Sequence, residues 1–384
     1  MVCLSATRAR SKAMFSSNKQ KSVVGLDVEA GSIAASEVSV NGSATVSETG
    51  IVRLEPGVFR EGEISDAAAL TDALKELWSS HKLGKHVRLG IANQRVAVRT
   101  MQLPVIEDEQ ELATAIRFQA QDHIPMPLEH AVLDYEVVGR SAGEGADRRM
   151  EVVAVAARRD MIETMLTSMR EAGLRPVGID LSAFGMIRAL AGGNVAEAGN
   201  GATVAYEDRV SHEVGEIAPA APTLLYCSLG DVTNLAVARG SSCLFTRISS
   251  FGMEGIAQRL AERRGLTLDH ARQWLPHVGL DEPVEDVEGD RETVEAARDV
   301  LAVGAAKLAD ELRLSLDYYR AQEGAANIEG VVACGPGSII PGLLGRLERE
   351  LGLRFESECP PALSHLDDAE AARLTLSYGL ALAE

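Results

Sequence analysis

Cysteine is scarce in this sequence, and its spacing is not that of a cross-linked or zinc-binding protein. The chain has 5 cysteines in 384 residues, at Cys3, Cys227, Cys243, Cys334 and Cys359. An odd number of scattered thiols without a C-x-x-C pair indicates a reducing compartment rather than a disulfide framework. The 8 histidines form no H-E-x-x-H pattern, so the sequence predicts no metal site.

Long apolar runs and an excess of positive charge are also missing. No stretch is apolar over the length that crosses a bilayer, so direct membrane insertion is not expected. The formal net charge of −18 argues against a surface that neutralises nucleic-acid phosphates. Basic residues without any acid occur only at the start, at Arg8, Arg10, Lys12, Lys19 and Lys21. Residues 1–21 are therefore predicted to be a disordered basic extension.

Strand and helix patterns alternate along the rest of the chain, which is typical of an α/β protein. A strand–turn–strand pattern opens at "VVGLDVEAGSIAAS" and recurs at "TLLYCSLGDVTNLAVARG". Between them, residues 191–221 show no sustained period and are predicted to be a linker or insertion. The length allows two separate cores, which we place in a first domain at 22–190 and a second domain at 222–384.

Two segments predict helices with apolar stripes. The segment 107–124 begins with acidic residues, which suit the positive end of a helix dipole, and it stops before Pro125. The longest helix is predicted at 293–320, with leucines spaced along one side. Core packing is the ordinary explanation for that second stripe.

Four stretches resemble the type IV pilus assembly protein PilM family, which belongs with FtsA to the actin-like ATPase superfamily. The most specific is "LATAIRFQAQDHIPMPLEHAVLDYEVVG", because a helix that ends in IP-x-P-L before LDYEV is characteristic of PilM. The others are "GLDVEAGSIAASEVS", "LADELRLSLDYYRAQ" with "VVACGPGSIIPGL", and "ARLTLSYGLAL". The resemblance covers the chain from about residue 22 to its end.

This resemblance implies an α/β, actin-like fold, in which a ribonuclease H-like domain is duplicated. It also implies an inserted IC (SHS2-type) subdomain at about 104–180, with the last helix returning to the first domain. Family members are cytoplasmic and lie at the inner face of the cytoplasmic membrane. The expected role is a scaffold of type IV pilus assembly, or of a related type II secretion-like system.

The partner that the resemblance implies is the N-terminal peptide of a PilN-like inner-membrane protein, held in a groove that involves the IC subdomain. Contacts with the pilus assembly and retraction ATPases are also expected. The candidate groove elements are the helix from Leu112 to His123 and the strand from Leu133 to Val138. An exposed strand edge there could accept a peptide by main-chain pairing.

Actin-like ATPases bind ATP and magnesium with three loops, of which the first typically reads D-x-G-S-x-S-x-K. Asp27 and Ser32 match that loop, but Glu29 stands where the glycine belongs and Ala34 replaces the lysine. Glu29 brings a negative charge towards the phosphates, and like charges about 4 Å apart repel by roughly 4 kcal/mol at intermediate dielectric. Gly31 is the residue that could shift the turn and restore the loop.

The second loop typically reads D-I-G-x-x-x-T, and here Ser228 replaces its aspartate, although Asp231 could substitute. The third loop, a glycine-rich turn before a helix, departs least from the family pattern. If nucleotide binds, the expected residues are Asp27, Gly31, Ser32, Ser228, Gly230, Asp231, Thr233, Glu311, Gly335, Pro336, Gly337 and Ser338, with Asp27 on the magnesium side. The favoured interpretation is a pseudo-ATPase with no catalytic residues and no cofactor.

Two other functions stay open. An ATPase or a sugar-kinase-like phosphotransferase with real turnover needs an intact first loop, its lysine and a positioned carboxylate. A cell-division adaptor of the FtsA type needs a cationic amphipathic helix at its C-terminus. The ending "LSYGLALAE" has no basic face, so membrane attachment through a partner is the favoured interpretation.

Overall fold

The computed structural model describes residues 22–41, 43–140, 148–196, 221–322 and 324–382. The strands are β1 (Val23–Val28), β2 (Ser32–Asn41), β3 (Ser43–Arg53), β4 (Phe59–Arg60), β5 (Glu63–Ile64), β6 (His86–Ile91), β7 (Ala97–Pro104), β8 (Ala131–Arg140), β9 (Arg149–Arg158), β10 (Arg175–Leu181), β11 (Thr223–Leu229), β12 (Thr233–Arg239), β13 (Ser242–Ser249), β14 (Gly330–Cys334) and β15 (Phe355–Ser357). The α-helices are α1 (Ala67–Ser80), α2 (Glu109–His123), α3 (Arg159–Glu171), α4 (Ser182–Ala196), α5 (Met253–Arg264), α6 (Leu268–Val278), α7 (Arg291–Arg320), α8 (Leu343–Leu351) and α9 (Asp368–Ala381).

Two five-stranded sheets are built on the same plan. The first has the order β10-β6-β1-β2-β3 and the second the order β13-β12-β11-β14-β15. In the first sheet β1 pairs antiparallel with β2 and parallel with β6. In the second sheet β11 pairs antiparallel with β12 and parallel with β14. The repeated strand–turn–strand pattern of the sequence is thus a repeated hairpin at the centre of each sheet.

The space between the two sheets is filled by helix α4 of the first half and by the last helix, α9. One face of the second sheet, with Tyr226 and Ala236, shares a core with Met186 and Ile187 of α4. Its opposite face packs on α5 and α7 in a second core. Helix α9 contacts β1, β2 and α4. It lies so close to β1 that a Cβ on Gly25 would be 1.9 Å from the Ser377 carbonyl oxygen.

A third, smaller sheet with the order β7-β9-β8 lies between β6 and α3 in the chain. Helix α2 covers it through Leu112 and Ile116, which pack against Met101 and Met150. This inserted unit spans 97–158, which corrects the predicted range of 104–180. The later part of that range belongs to the first half, because β10 pairs with β6 and the α3 side chains enter the first core.

The two segments that were predicted to be irregular are 1–21 and 191–221. Residues 1–21 and 197–220 lie outside the described residues. The predicted linker starts too early, since its residues 191–196 continue helix α4. Adjacent glycines at 192 and 193 lower helix propensity, which is why the sequence did not predict this end of the helix.

Candidate functional site

The turns of the two central hairpins meet where the first and second predicted nucleotide loops were expected to converge. The turn between β1 and β2 contains Glu29 and Ala30, and the turn between β11 and β12 contains Gly230 and Asp231. The Ala30 amide donates a hydrogen bond to Asp231 Oδ2 at 2.9 Å. In return, the Asp231 amide donates to the Glu29 carboxylate. Each turn therefore offers a carboxylate to a backbone amide of the other.

The Glu29 carboxylate occupies the space in front of Gly230. A Cβ on Gly230 would lie 2.0 Å from Glu29 Oε1, so a residue with a side chain does not fit there without displacing the carboxylate. This glycine is thus needed for the approach of Glu29. The glutamate that breaks the family pattern is directed into the contact between the turns.

Gly31 is also needed for a close approach, in this case of an arginine from the second half. A Cβ on Gly31 would lie 2.7 Å from Arg272 Cζ. Arg272 is fixed in place by two hydrogen bonds to Glu254, at 2.6 and 2.9 Å, and by one to Asp269 at 2.6 Å. Gly31 has no positive φ, so it does not provide the altered turn that was considered from the sequence.

Three carboxyl groups share this region, and each has a raised pKa. Burial and, to a smaller extent, the charge of Asp231 raise the pKa of Asp27 to about 7. A hydrogen bond from the Ser182 hydroxyl acts in the opposite direction and lowers this pKa. Burial raises the pKa of Asp231 to about 6, although amide hydrogen bonds from Ala30 and Val232 favour its charged form. Burial, Asp231 and Asp27 together raise the pKa of Glu29 well above its usual value.

The remaining space among these groups is small. A cavity of about 20 Å³ lies beside Asp27, Glu29, Ser228 and Asp231, which is room for about one water molecule. Asn234 lines the same cavity and is buried, and neither amide atom of its side chain has a hydrogen-bond partner in the described part of the chain. Asn234 is not among the residues predicted from the sequence, because an unpaired amide is a property of the packed structure.

The other predicted residues of the first two loops have contacts of their own. Ser32 accepts a hydrogen bond from Arg373 Nη1 at 3.2 Å, which links β2 to α9. The Thr233 hydroxyl donates to the Phe251 carbonyl oxygen at 2.7 Å and is buried. These contacts connect the hairpins to their surroundings.

The third loop packs on the second. Gly335 has φ +82°, and a Cβ there would lie 3.0 Å from Ser228 Oγ. Gly337 donates to the Leu229 carbonyl oxygen at 2.8 Å, and the Ser338 hydroxyl turns back to the Gly335 carbonyl oxygen at 2.9 Å. Pro336 lies between these residues and is half-buried.

Glu311 is bound at the end of β13. Its carboxylate accepts a hydrogen bond from Ser249 at 2.9 Å, at the end of β13. The same hydroxyl accepts from the Phe251 amide at 3.2 Å. Glu311 therefore fixes the segment that follows β13.

A much larger cavity, of about 900 Å³, separates the inserted sheet from the second five-stranded sheet. We call it the β7–β13 groove, because β7 and β13 are edge strands of these two sheets. Its wall from the first half includes Arg95, Val98, Arg99, Met126 and Arg158, and its wall from the second half includes Leu244, Phe245, Arg247 and Tyr318. No carboxylate is among the side chains that line it in the described residues.

The β7–β13 groove differs in place from the groove elements expected from the sequence. The apolar side of α2, with Leu112 and Ile116, is used in the core of the inserted unit. Strand β8, which contains Leu133–Val138, forms the opposite edge of the same sheet. Met126 and Pro125, just after α2, do reach the groove.

A family model described as "Type IV pilus assembly protein PilM" matches residues 25–214. Over these residues the chain is similar to the PilM family. A solved structure described as "PilM-PilN type IV pilus biogenesis complex" matches with a TM-score of 0.75 at 24% identity, covering 95% of this chain and 98% of that one. This match confirms the predicted actin-like fold.

Other solved structures resemble this chain more distantly. EutJ from Carboxydothermus hydrogenoformans matches with a TM-score of 0.49 at 14% identity, over 95% of this chain and 90% of that one. MreB5 of Spiroplasma citri bound to ADP matches with a TM-score of 0.49 at 13% identity, over 94% of both chains. In the part of the chain that the structure describes, no helix is long and apolar enough to cross a membrane.

Proposed function

We propose that this PilM-family protein is a scaffold of type IV pilus assembly that binds the N-terminal peptide of a PilN-like inner-membrane protein and does not use nucleotide. One observation carries the proposal. The protein's own carboxylates fill the place between the hairpin turns, whereas the large cavity lies between two edge strands elsewhere. Attachment to the inner face of the membrane then comes through the partner.

The contacts between the hairpin turns disfavour ATP. Phosphates bind to free backbone amides that a glycine leaves accessible, but the amides of Ala30 and Asp231 already bind carboxylates. The cavity of about 20 Å³ is far smaller than a triphosphate. A bound phosphate would also face Asp27, Glu29 and Asp231. These contacts support a pseudo-ATPase that needs neither ATP nor magnesium.

The β7–β13 groove has the size and edges that an extended peptide needs. Ligand cavities typically measure about 300–1,000 Å³, and the groove falls within that range at about 900 Å³. Strand edges offer unpaired main-chain groups that can accept an added strand. Arg247 lies over the Tyr318 ring, with its Cζ 5.8 Å from the ring centroid, and so supports the aromatic wall. The match to a PilM–PilN complex supports a PilN-like peptide as the occupant.

Tyr318→Ala is expected to weaken binding of a PilN-like N-terminal peptide by about 30-fold. Truncation of an aromatic anchor at an interface costs about 2 kcal/mol, which corresponds to that factor. The measurement is fluorescence anisotropy with a labelled N-terminal peptide of a PilN-like protein. Phe118→Ala is the matched control, because Phe118 is 74% exposed on α2 and does not line the groove.

Two results would count against this assignment. Loss of binding in Phe118→Ala with none in Tyr318→Ala would move the peptide to the outer face of α2. A wild-type Kd weaker than about 1 mM, equivalent to about 4 kcal/mol of binding, would contradict the scaffold function itself. Contacts with the assembly and retraction ATPases stay a prediction from the family.

A further inference from the structure

We propose that Glu29 and Asp231 form a latch that ties the two halves of the fold together and thereby sets the width of the β7–β13 groove. The first part of this inference concerns the protein alone, and only its consequence for peptide binding rests on the proposed function. The latch consists of the two reciprocal hydrogen bonds between the hairpin turns.

The latch joins parts of the chain that are far apart in sequence. Ala30 and Asp231 are 201 residues apart, and each belongs to the central hairpin of its own sheet. A hydrogen bond from an amide to an ionised carboxylate is roughly twice as strong as one between neutral groups, and this applies to Asp231 once the pH exceeds its pKa of about 6. Because both carboxylates are removed from bulk water, screening by solvent weakens these bonds little.

A second line of contacts runs beside the latch. The Arg272 guanidinium covers Gly31, and Arg53 Nη1 lies 3.8 Å from Asp269 Oδ2. Asp269 also accepts a hydrogen bond from Arg272. The ion pair between Arg53 and Asp269 is exposed, and surface ion pairs of this kind contribute little to stability. The buried turn-to-turn bonds are therefore the stronger connection.

The latch sets the width of the groove because the two walls of the groove come from different halves of the fold. Val98 and Arg99 belong to the inserted sheet of the first half, whereas Phe245 and Tyr318 belong to the second. Asn234 lines both the cavity at the latch and the groove. A rotation that separates the hairpin turns therefore moves one groove wall relative to the other.

Hydrogen exchange of the full chain, followed by mass spectrometry without any peptide, tests the latch. In Asp231→Ala, exchange in residues 28–32 is expected to become at least tenfold faster, although the substitution lies in the other half. Exchange in the groove segments 97–100 and 243–248 is expected to become faster as well. In Asp231→Asn, exchange in 28–32 is expected to fall between that of the wild type and that of Asp231→Ala, because asparagine has one side-chain oxygen for the two amides, of Ala30 and Val232, from which the Asp231 carboxylate accepts.

The result that overturns the latch is faster exchange confined to 229–233. Asp231 also accepts from the Val232 amide within its own turn, at 2.7 Å, and local loosening of that turn alone would mean that Asp231 does not hold the halves together. If Asp231→Ala does not fold, Glu29→Ala is expected to speed exchange in 229–233, and unchanged exchange there overturns the latch equally. Glu282→Ala, an exposed acid in a loop, is the control.

The latch and the proposed function are tested by different measurements. Loss of the latch appears in exchange measured without peptide, whereas failure of the scaffold function appears as absent peptide binding by the wild type. If both hold, Asp231→Ala is also expected to change the affinity for the PilN-like peptide, and Asp231→Asn is expected to change it less.

Discussion

Replacing Asp27 by Asn is expected to raise the free energy of unfolding at pH 8 by roughly 3 to 4 kcal/mol, while leaving it nearly unchanged at pH 4. Asp27 is 6% exposed, and its pKa rises from 3.8 to about 7 in the folded protein. The folded state therefore holds a proton that the unfolded state releases above pH 4. Asparagine has the same shape and never carries the charge.

The sign of this effect follows from proton binding. Between pH 4 and pH 7 the folded chain binds more protons than the unfolded chain at Asp27, so the stability of the wild type falls as the pH rises. This loss is complete once the pH passes the folded pKa. The measurement is urea unfolding at several pH values. Equal slopes for the wild type and Asp27→Asn would contradict the raised pKa, and Glu282→Gln is the control at an exposed acid.

The second large effect is expected at a buried ion pair that holds α4 to β10 and α9. The Asp180 side chain is fully buried and binds the Arg188 guanidinium, which is 13% exposed. Arg188 Nε also donates to the Gly379 carbonyl oxygen at 3.0 Å. Asp180→Ala leaves that cation buried without its partner and is expected to cost about 3–5 kcal/mol of stability.

A double substitution separates the charge from the packing. Asp180→Ala with Arg188→Met removes both charges and is expected to recover most of the lost stability. Glu295→Ala breaks the exposed pair between Arg291 and Glu295, whose side chains are 77% and 54% exposed, and is expected to change stability by less than about 1 kcal/mol. The measurement is thermal and urea unfolding. A cost for Asp180→Ala as small as that of Glu295→Ala would show that the pair contributes nothing.

Local patterns in the sequence were enough to predict the central hairpins and the long helices. The turn at Glu29 and the turn at Gly230 lie where strand–turn–strand patterns placed them. Helix α7 spans Arg291–Arg320 against a predicted 293–320. Strand periodicity, acidic helix starts and prolines act within a few residues, so one sequence is enough to detect them.

Features that depend on distant residues could not be predicted in this way. Arg272 reaches Gly31 from a different half of the chain, and Asn234 is unpaired only because of how its neighbours pack. The candidate groove elements at α2 and β8 stay a prediction, whereas the large cavity beside β7 and β13 depends on how two sheets far apart in sequence come together. Helix α1 and strands β3 to β5 are absent from the sequence-based prediction.

In the proposed function, the carboxylates of Glu29 and Asp231 replace a nucleotide between the hairpin turns. Calorimetric titration of the wild-type chain with ATP and magnesium tests it most directly, with Glu29→Gly as the comparison. We expect no saturable heat for the wild type up to about 1 mM ATP, a limit of about 4 kcal/mol in binding free energy. Saturable, magnesium-dependent binding by the wild type at micromolar ATP would contradict it.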